Sequence, residues 1–169
     1  MTGAASIQVG LELTAVELTV TPLVMFSRQW AGTNPVHWDP GVASRQGMDA
    51  PVATGQIPAA LIQQSCVALL GEAMFRGSVM DVRFRQPVHL NDVLTAGGEV
   101  TEAAPEAGGL RVVVNAWCRN QKGVDVTTAR VEALVVEHAP VANHALEVDH
   151  ALEVDHALEV DHALEVDHD

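Results

Sequence analysis

Basic residues are what this chain lacks most. Nine Lys and Arg stand against 22 Asp and Glu in 169 residues, Lys122 is the only lysine, and the formal charge is −13. Sequence-independent binding to nucleic acid and docking on anionic lipid both rest on clustered Lys and Arg, so this balance argues against either. Cysteine is scarce as well. Cys66 and Cys118 each sit alone in an apolar segment. They read as buried, reduced thiols, which suits the cytoplasm better than a secreted disulfide scaffold. No apolar run reaches the roughly 18–20 residues that a membrane span needs. The start, Met1-Thr2-Gly3-Ala4, shows no basic region ahead of an apolar stretch, as a signal peptide would. What is present is material for a core: 48% of residues are apolar. At this length one compact domain is the expectation.

The charge is unevenly placed. From Ala145 the hexapeptide Ala-Leu-Glu-Val-Asp-His occurs four times, ending at His168, with Asp169 after it. This tail holds nine acids and no Lys or Arg, which leaves residues 1–144 at −4. The organisation expected is one domain over residues 1–140 and an acidic repeat tail over 141–169. A period of six does not match 3.6, so a helical tail would spiral its Leu and Val around the axis. As a strand the pattern is regular, with Leu146, Val148 and His150 on one face, and an added edge strand or self-association segment is one reading. His150, His156, His162 and His168 suggest metal, but a spacing of six is no recognised ligand pattern, and no metal site is expected. The preferred reading is a duplicated short unit that is solvated and mostly disordered.

In the body, Gln8–Val20 reads as an opening strand. Thr21-Pro22 reads as an N-cap followed by proline at the first helical position, with a short helix or turn over 23–30. Residues 32–47 carry loop signals. A long helix is expected over 56–72, with Ile57, Leu61, Ile62, Cys66, Leu69 and Leu70 at helical spacing. Strands follow at 77–88, 93–103, 110–120 and 124–136, with turns at 105–109 and 121–123. Helical material in the first half and antiparallel strands in the second give an α+β fold, one long helix packed on a curved antiparallel sheet.

Three clusters carry chemistry. In the first, Asn34-Pro35-Val36-His37-Trp38-Asp39-Pro40, prolines fix the backbone on both sides of a histidine, and the Asn34 amide can lock the loop through backbone groups. A histidine held on a rigid loop is a candidate general base. The plain alternative is a loop histidine that bonds a neighbour. In the second, Ala53-Thr54-Gly55-Gln56 opens the long helix, where free N–H groups and a glycine suit a ligand oxygen. The plain alternative is capping by Thr54. The third holds Arg83, Arg85 and His89. Alternate strand residues share a face, so the arginines would point either to solvent, the better reading, or to a phosphate-bearing ligand.

Taken together, these segments resemble the MaoC-like family of hotdog-fold proteins, which includes R-specific enoyl-CoA hydratases and 3-hydroxyacyl dehydratases. The matching residues are Asn34, Pro35 and His37, then Asp39-Pro40, then Ala53-x-Gly55. The stretch Val82-Arg83-Phe84-Arg85-Gln86-Pro87-Val88, with Asn91-Asp92-Val93-Leu94 after it, is similar to a further family segment. The resemblance spans roughly residues 8–138. It implies an acyl-CoA hydratase or dehydratase acting on a 2-enoyl or 3-hydroxyacyl thioester. His37 would be the acid/base, Asn34 its support and Gly55 the oxyanion donor. Thr54, Gln56, Asp39, Arg83 and Arg85 would bind substrate. No cofactor is implied, since acyl-CoA is the substrate. The partner would be a second hotdog subunit, as homodimer or heterodimer, with the pantetheine arm entering between subunits. One position departs from the pattern: the family's aspartate, five before the histidine, is Gly32 here, and the helix-start histidine is Thr54. The alternative is therefore a catalytically silent hotdog subunit or acyl-CoA binding module that works with a complete MaoC-like partner.

Overall fold

The computed structural model describes residues 6–26 and 33–136. The repeat tail and Gly32 lie outside the described residues, and so do the expectations attached to them. In chain order the elements are β1 (Val16–Thr19), α1 (Pro22–Phe26), a 3-10 turn (Pro35–His37), α2 (Pro40–Arg45) and α3 (Gln56–Leu70), which runs on into a second 3-10 turn (Gly71–Phe75). The strands β2 (Val79–Phe84), β3 (Val93–Glu106), β4 (Gly109–Arg119) and β5 (Asp125–Val135) follow. The five strands form one sheet in the order β1-β3-β4-β5-β2, antiparallel at every joint. The long helix α3 lies on one face of it. This is the expected α+β hotdog arrangement.

The reason α3 sits there is its stripe. Ile57, Pro58, Leu61, Ile62, Ser65, Cys66 and Leu70 are buried, a spacing that puts them on one side of a 3.6-residue helix. They pack on inward-facing strand residues, among them Leu94, Ala96, Val100, Val112, Val114, Cys118, Val126 and Val131. Each large aliphatic side chain fully buried here contributes about 1.5–3 kcal/mol. The one hydroxyl in the stripe, Ser65, is satisfied by donating to the Thr14 carbonyl at 2.7 Å. The helical stretch Gln56–Phe75 spans 20 residues with mean hydropathy 1.3, long and apolar enough by composition to cross a membrane. The expectation that no run reaches that length is corrected on this point. Half of that window is buried inside the fold, as a core helix requires.

Two other boundaries differ from the sequence reading. The opening strand is short, because Gly10 at φ +86° breaks the segment. Residues before it join β3 only through the Glu12–Glu99 bridge and bonds at Gly10, Leu11 and Leu13. Residues 33–47 are not plain loop. Asn34 Oδ1 accepts from Val36 N at 3.2 Å and opens the first 3-10 turn, and Asp39 Oδ1 accepts from Val42 N at 3.0 Å and opens α2. Each cap is followed by proline at the first helical position, where its missing N–H costs nothing. Thr21 caps α1 as expected, accepting from Val24 N at 3.3 Å.

Candidate functional site

The turn Pro35–His37 is tied to the segment that leads into α3. Val52 N–H donates to the Val36 carbonyl at 3.4 Å, and Ala53 N–H donates to the Val88 carbonyl at 2.7 Å. His37 closes this strap: its Nδ1 lies 2.7 Å from the Val52 carbonyl oxygen. A carbonyl only accepts, so Nδ1 carries the hydrogen, and in the neutral ring Nε2 keeps its lone pair. The ring is half-buried. His89 grips the adjacent carbonyl, with Nδ1 at 3.1 Å from Pro51 O, while its own N–H donates to Asp92 Oδ2 at 2.8 Å. Two imidazoles thus hold consecutive carbonyls of one short segment. Asn34 acts on the turn and not on the ring, since its side chain accepts from Val36 N.

Three residues after Val52, Gly55 begins α3. It has no side-chain cap, and the Thr54 side chain does not supply one; only the Thr54 carbonyl is used, by Ile57 N at 3.1 Å. The plain capping reading of Thr54 is therefore corrected. The N–H groups of Gly55 and Gln56 donate to no backbone carbonyl among the described residues. Such first-turn donors carry the positive end of the helix dipole. Glycine lets a neighbour lie close at this spot: a Cβ on Gly55 would lie 2.8 Å from Cε1 and Cζ of Phe84, so a larger residue would displace that ring. The Phe84 ring rests on the first turn and is 60% exposed on its other side.

Strand parity places the remaining candidates. In β2, Phe84 faces α3, so Arg83 and Arg85 face the other way. Arg85 Nε donates to Thr128 Oγ1 at 3.3 Å, and Arg83 lies 3.7 Å from Asp81. Both line a groove of about 420 Å3 on the outer face of the sheet, with Asn115, Trp117, Thr128 and Arg130. The structure ties Asn34 and His37 to the segment that leads into Thr54, Gly55 and Gln56 and places Arg83 and Arg85 on the opposite face of the sheet. That face neutralises itself, through Arg119–Asp125 at 2.7 Å, Arg130–Glu132 at 2.8 Å and Arg111–Glu102 at 2.9 Å. Asp39 is engaged as the cap of α2. The sequence reading had missed Val52, which acts only through its backbone, and Phe84, which the alternation around Arg83 and Arg85 could have found.

Comparison with known proteins follows the same outline. The family profile of the MaoC like domain matches residues 6–139. The unliganded R-hydratase of Pseudomonas aeruginosa is 26% identical with a TM-score of 0.64, over 80% of this chain and 86% of that one. The ChsH1–ChsH2 complex of Mycobacterium tuberculosis is 26% identical with a TM-score of 0.60, over 76% and 98%. A MaoC-like dehydratase of Rhodospirillum rubrum shares the fold with a TM-score of 0.69 at 17% identity, over 82% and 99%. A search of curated protein sequences gave no match. With a family profile covering nearly all of its described residues, this chain belongs to the MaoC-like domain family.

Proposed function

We propose that this protein is an acyl-CoA hydratase or dehydratase, adding water to a 2-enoyl thioester or removing it from a 3-hydroxyacyl thioester. The observation that carries the reading is the 2.7 Å contact from His37 Nδ1 to Val52 O. It fixes the ring and leaves Nε2 of the neutral ring to take a proton from water as the hydroxide adds to Cβ; the imidazolium so formed then gives that proton to Cα, and dehydration runs the same transfers backwards. The thioester carbonyl would meet the N–H groups of Gly55 and Gln56, where negative charge develops as the enolate forms. Thr54 and Gln56 would flank that oxygen. The chemistry needs no cofactor beyond the acyl-CoA itself. The reduced thiols of Cys66 and Cys118, both buried, fit a cytoplasmic setting.

Hydration of crotonyl-CoA tests the reading. His37→Ala lowers kcat by about 10²–10⁴ while the protein stays folded. Equal rates for wild type and His37→Ala across a panel of enoyl-CoAs would overturn it.

One observation favours a second reading. No Asp or Glu lies between Glu17 and Asp39, and Asp39 is committed to capping α2. A lone histidine then handles the proton without a carboxylate from its own loop. In that case the chain is a silent hotdog subunit or an acyl-CoA binding module beside a complete MaoC-like partner. Gly32→Asp separates the two. A large gain in rate identifies a weakened hydratase, and turnover that appears only with a partner subunit identifies the second. Either partner, a second copy or another hotdog subunit, would use the open edge of β2. There Phe75 and Val79 are 68% and 65% exposed.

A further inference from the structure

Among the described residues one buried side-chain polar atom has no hydrogen-bond partner, the hydroxyl oxygen of Thr127. The residue is 0% exposed. A buried hydroxyl without a partner is costly, and valine would fill the same volume without that cost. The fold satisfies the comparable hydroxyl of Ser65 and leaves this one. Its location supplies the reason. Thr127 stands directly opposite Phe84 on β2 and Cys118 on β4, so all three point to the face that α3 covers. Phe84 is the residue whose ring rests on Gly55. Thr127 is thus a row-mate of the ring that covers the first turn of α3, on the same side of the sheet. Entry of a ligand there needs the ring to swing off Gly55, and its 60% exposure leaves it room to do so.

We infer that Thr127 is a ligand-contacting residue: its hydroxyl donates to an oxygen of an acyl thioester that enters between the Phe84 ring and Gly55. This deepens the hydratase reading and rests on it. The chemical class follows from the lining. Cys118 and Ala96, which continue the row of Thr127 across β4 and β3, are apolar and buried. The donors offered there are neutral: one hydroxyl and the N–H groups at the start of α3. Arg83 and Arg85, the nearest cations along β2, face away. Neutral donors in an apolar lining suit an uncharged carbonyl group on an apolar chain and do not suit a free carboxylate.

The test uses the full chain, with butyryl-CoA as a probe that binds without being hydrated. Thr127→Val raises Tm by about 2–4 °C, since it removes an unsatisfied buried hydroxyl. It also weakens butyryl-CoA binding about five- to tenfold by titration calorimetry. Thr127→Ser, which keeps the hydroxyl, restores the affinity. A Thr127→Val protein that binds butyryl-CoA as tightly as wild type overturns the inference. So does one whose Tm is unchanged or lowered, because the hydroxyl then already has a partner. The hydratase reading fails separately. Wild type that neither binds butyryl-CoA nor hydrates crotonyl-CoA removes both, whereas wild-type binding with unaltered Thr127→Val affinity removes this inference alone.

Discussion

Single glycines divide by what stands against them. At Gly98 a Cβ would lie 2.6 Å from the Asn115 carbonyl and 2.9 Å from the Ala116 Cα, all backbone of the neighbouring strand. Neither can move without disturbing the β3–β4 ladder, so Gly98→Ala destabilises by about 1–3 kcal/mol in urea unfolding. At Gly55 the obstacle is the far end of an exposed phenylalanine, so Gly55→Ala costs little stability and instead displaces the ring. Comparing the two midpoints checks the contrast. The thiols act at the same scale. Burial pushes both Cys66 and Cys118 from 9.0 up to about 12. A thiol raised in the folded state stays neutral while its unfolded counterpart ionises. Its contribution is complete below pH 9 and is lost as pH rises towards 12. Tm therefore falls over that window, and the fall flattens in a Cys66→Ala/Cys118→Ala protein relative to its own value at pH 8. The buried thiols were legible in sequence because each lay within an apolar run. The Thr127 hydroxyl was not, because its burial comes from cross-strand pairing with Cys118 and Phe84, distant in the chain.

At the scale of elements, α3 was legible because its apolar residues recur at helical spacing. The stretch from 33 to 47 was misread because Asn, Asp and Pro signal loops and helix starts alike. What decides between them is the bond each side chain makes, Asn34 to Val36 N and Asp39 to Val42 N. The consequence is specific to the first of these turns, since it presents His37. Asn34→Ala removes the cap and costs about 0.5–2 kcal/mol. It also frees the turn that aims the imidazole, so kcat for crotonyl-CoA hydration falls with little change in KM. Hydrogen exchange shows the loss directly, as faster exchange at Val36 and Val52 N–H with α3 unchanged. A kcat equal to that of wild type would show that the His37–Val52 bond alone positions the ring. The four later strands were placed within a few residues by their β-branched runs, whereas the opening strand was read too long. Their parity mattered more than their boundaries, since it sends Phe84 to α3 and Arg83 and Arg85 away from it.

For the whole molecule, the open edge of β2 sets how copies would meet. Arg85 N–H bonds to the Val126 carbonyl at 2.8 Å. By the alternation of an antiparallel pair, residues 79, 81 and 83 then bond inward to β5, and Met80, Val82 and Phe84 present their N–H and C=O groups at the free edge. A two-fold axis through Val82 would pair that edge with itself, Val82 opposite Val82 and Met80 opposite Phe84. The same register sets Asp81 of one copy opposite Arg83 of the other, twice, on the outer face. An isologous contact of this kind is self-complementary in charge as well as in backbone bonding. The net charge of −13 does not oppose it, because nine of the acids lie in the repeat tail and residues 1–144 carry only −4. The expected outcome is a dimer at micromolar concentration in sedimentation velocity. Asp81→Arg sets like charges opposite each other and gives monomer, as does Arg83→Asp. The double exchange Asp81→Arg/Arg83→Asp restores the dimer, which a general loss of stability would not do. Wild type that sediments as a monomer, and dimerises only when a different hotdog subunit is added, would assign the β2 edge to a heterodimer and favour the silent-subunit reading over the hydratase.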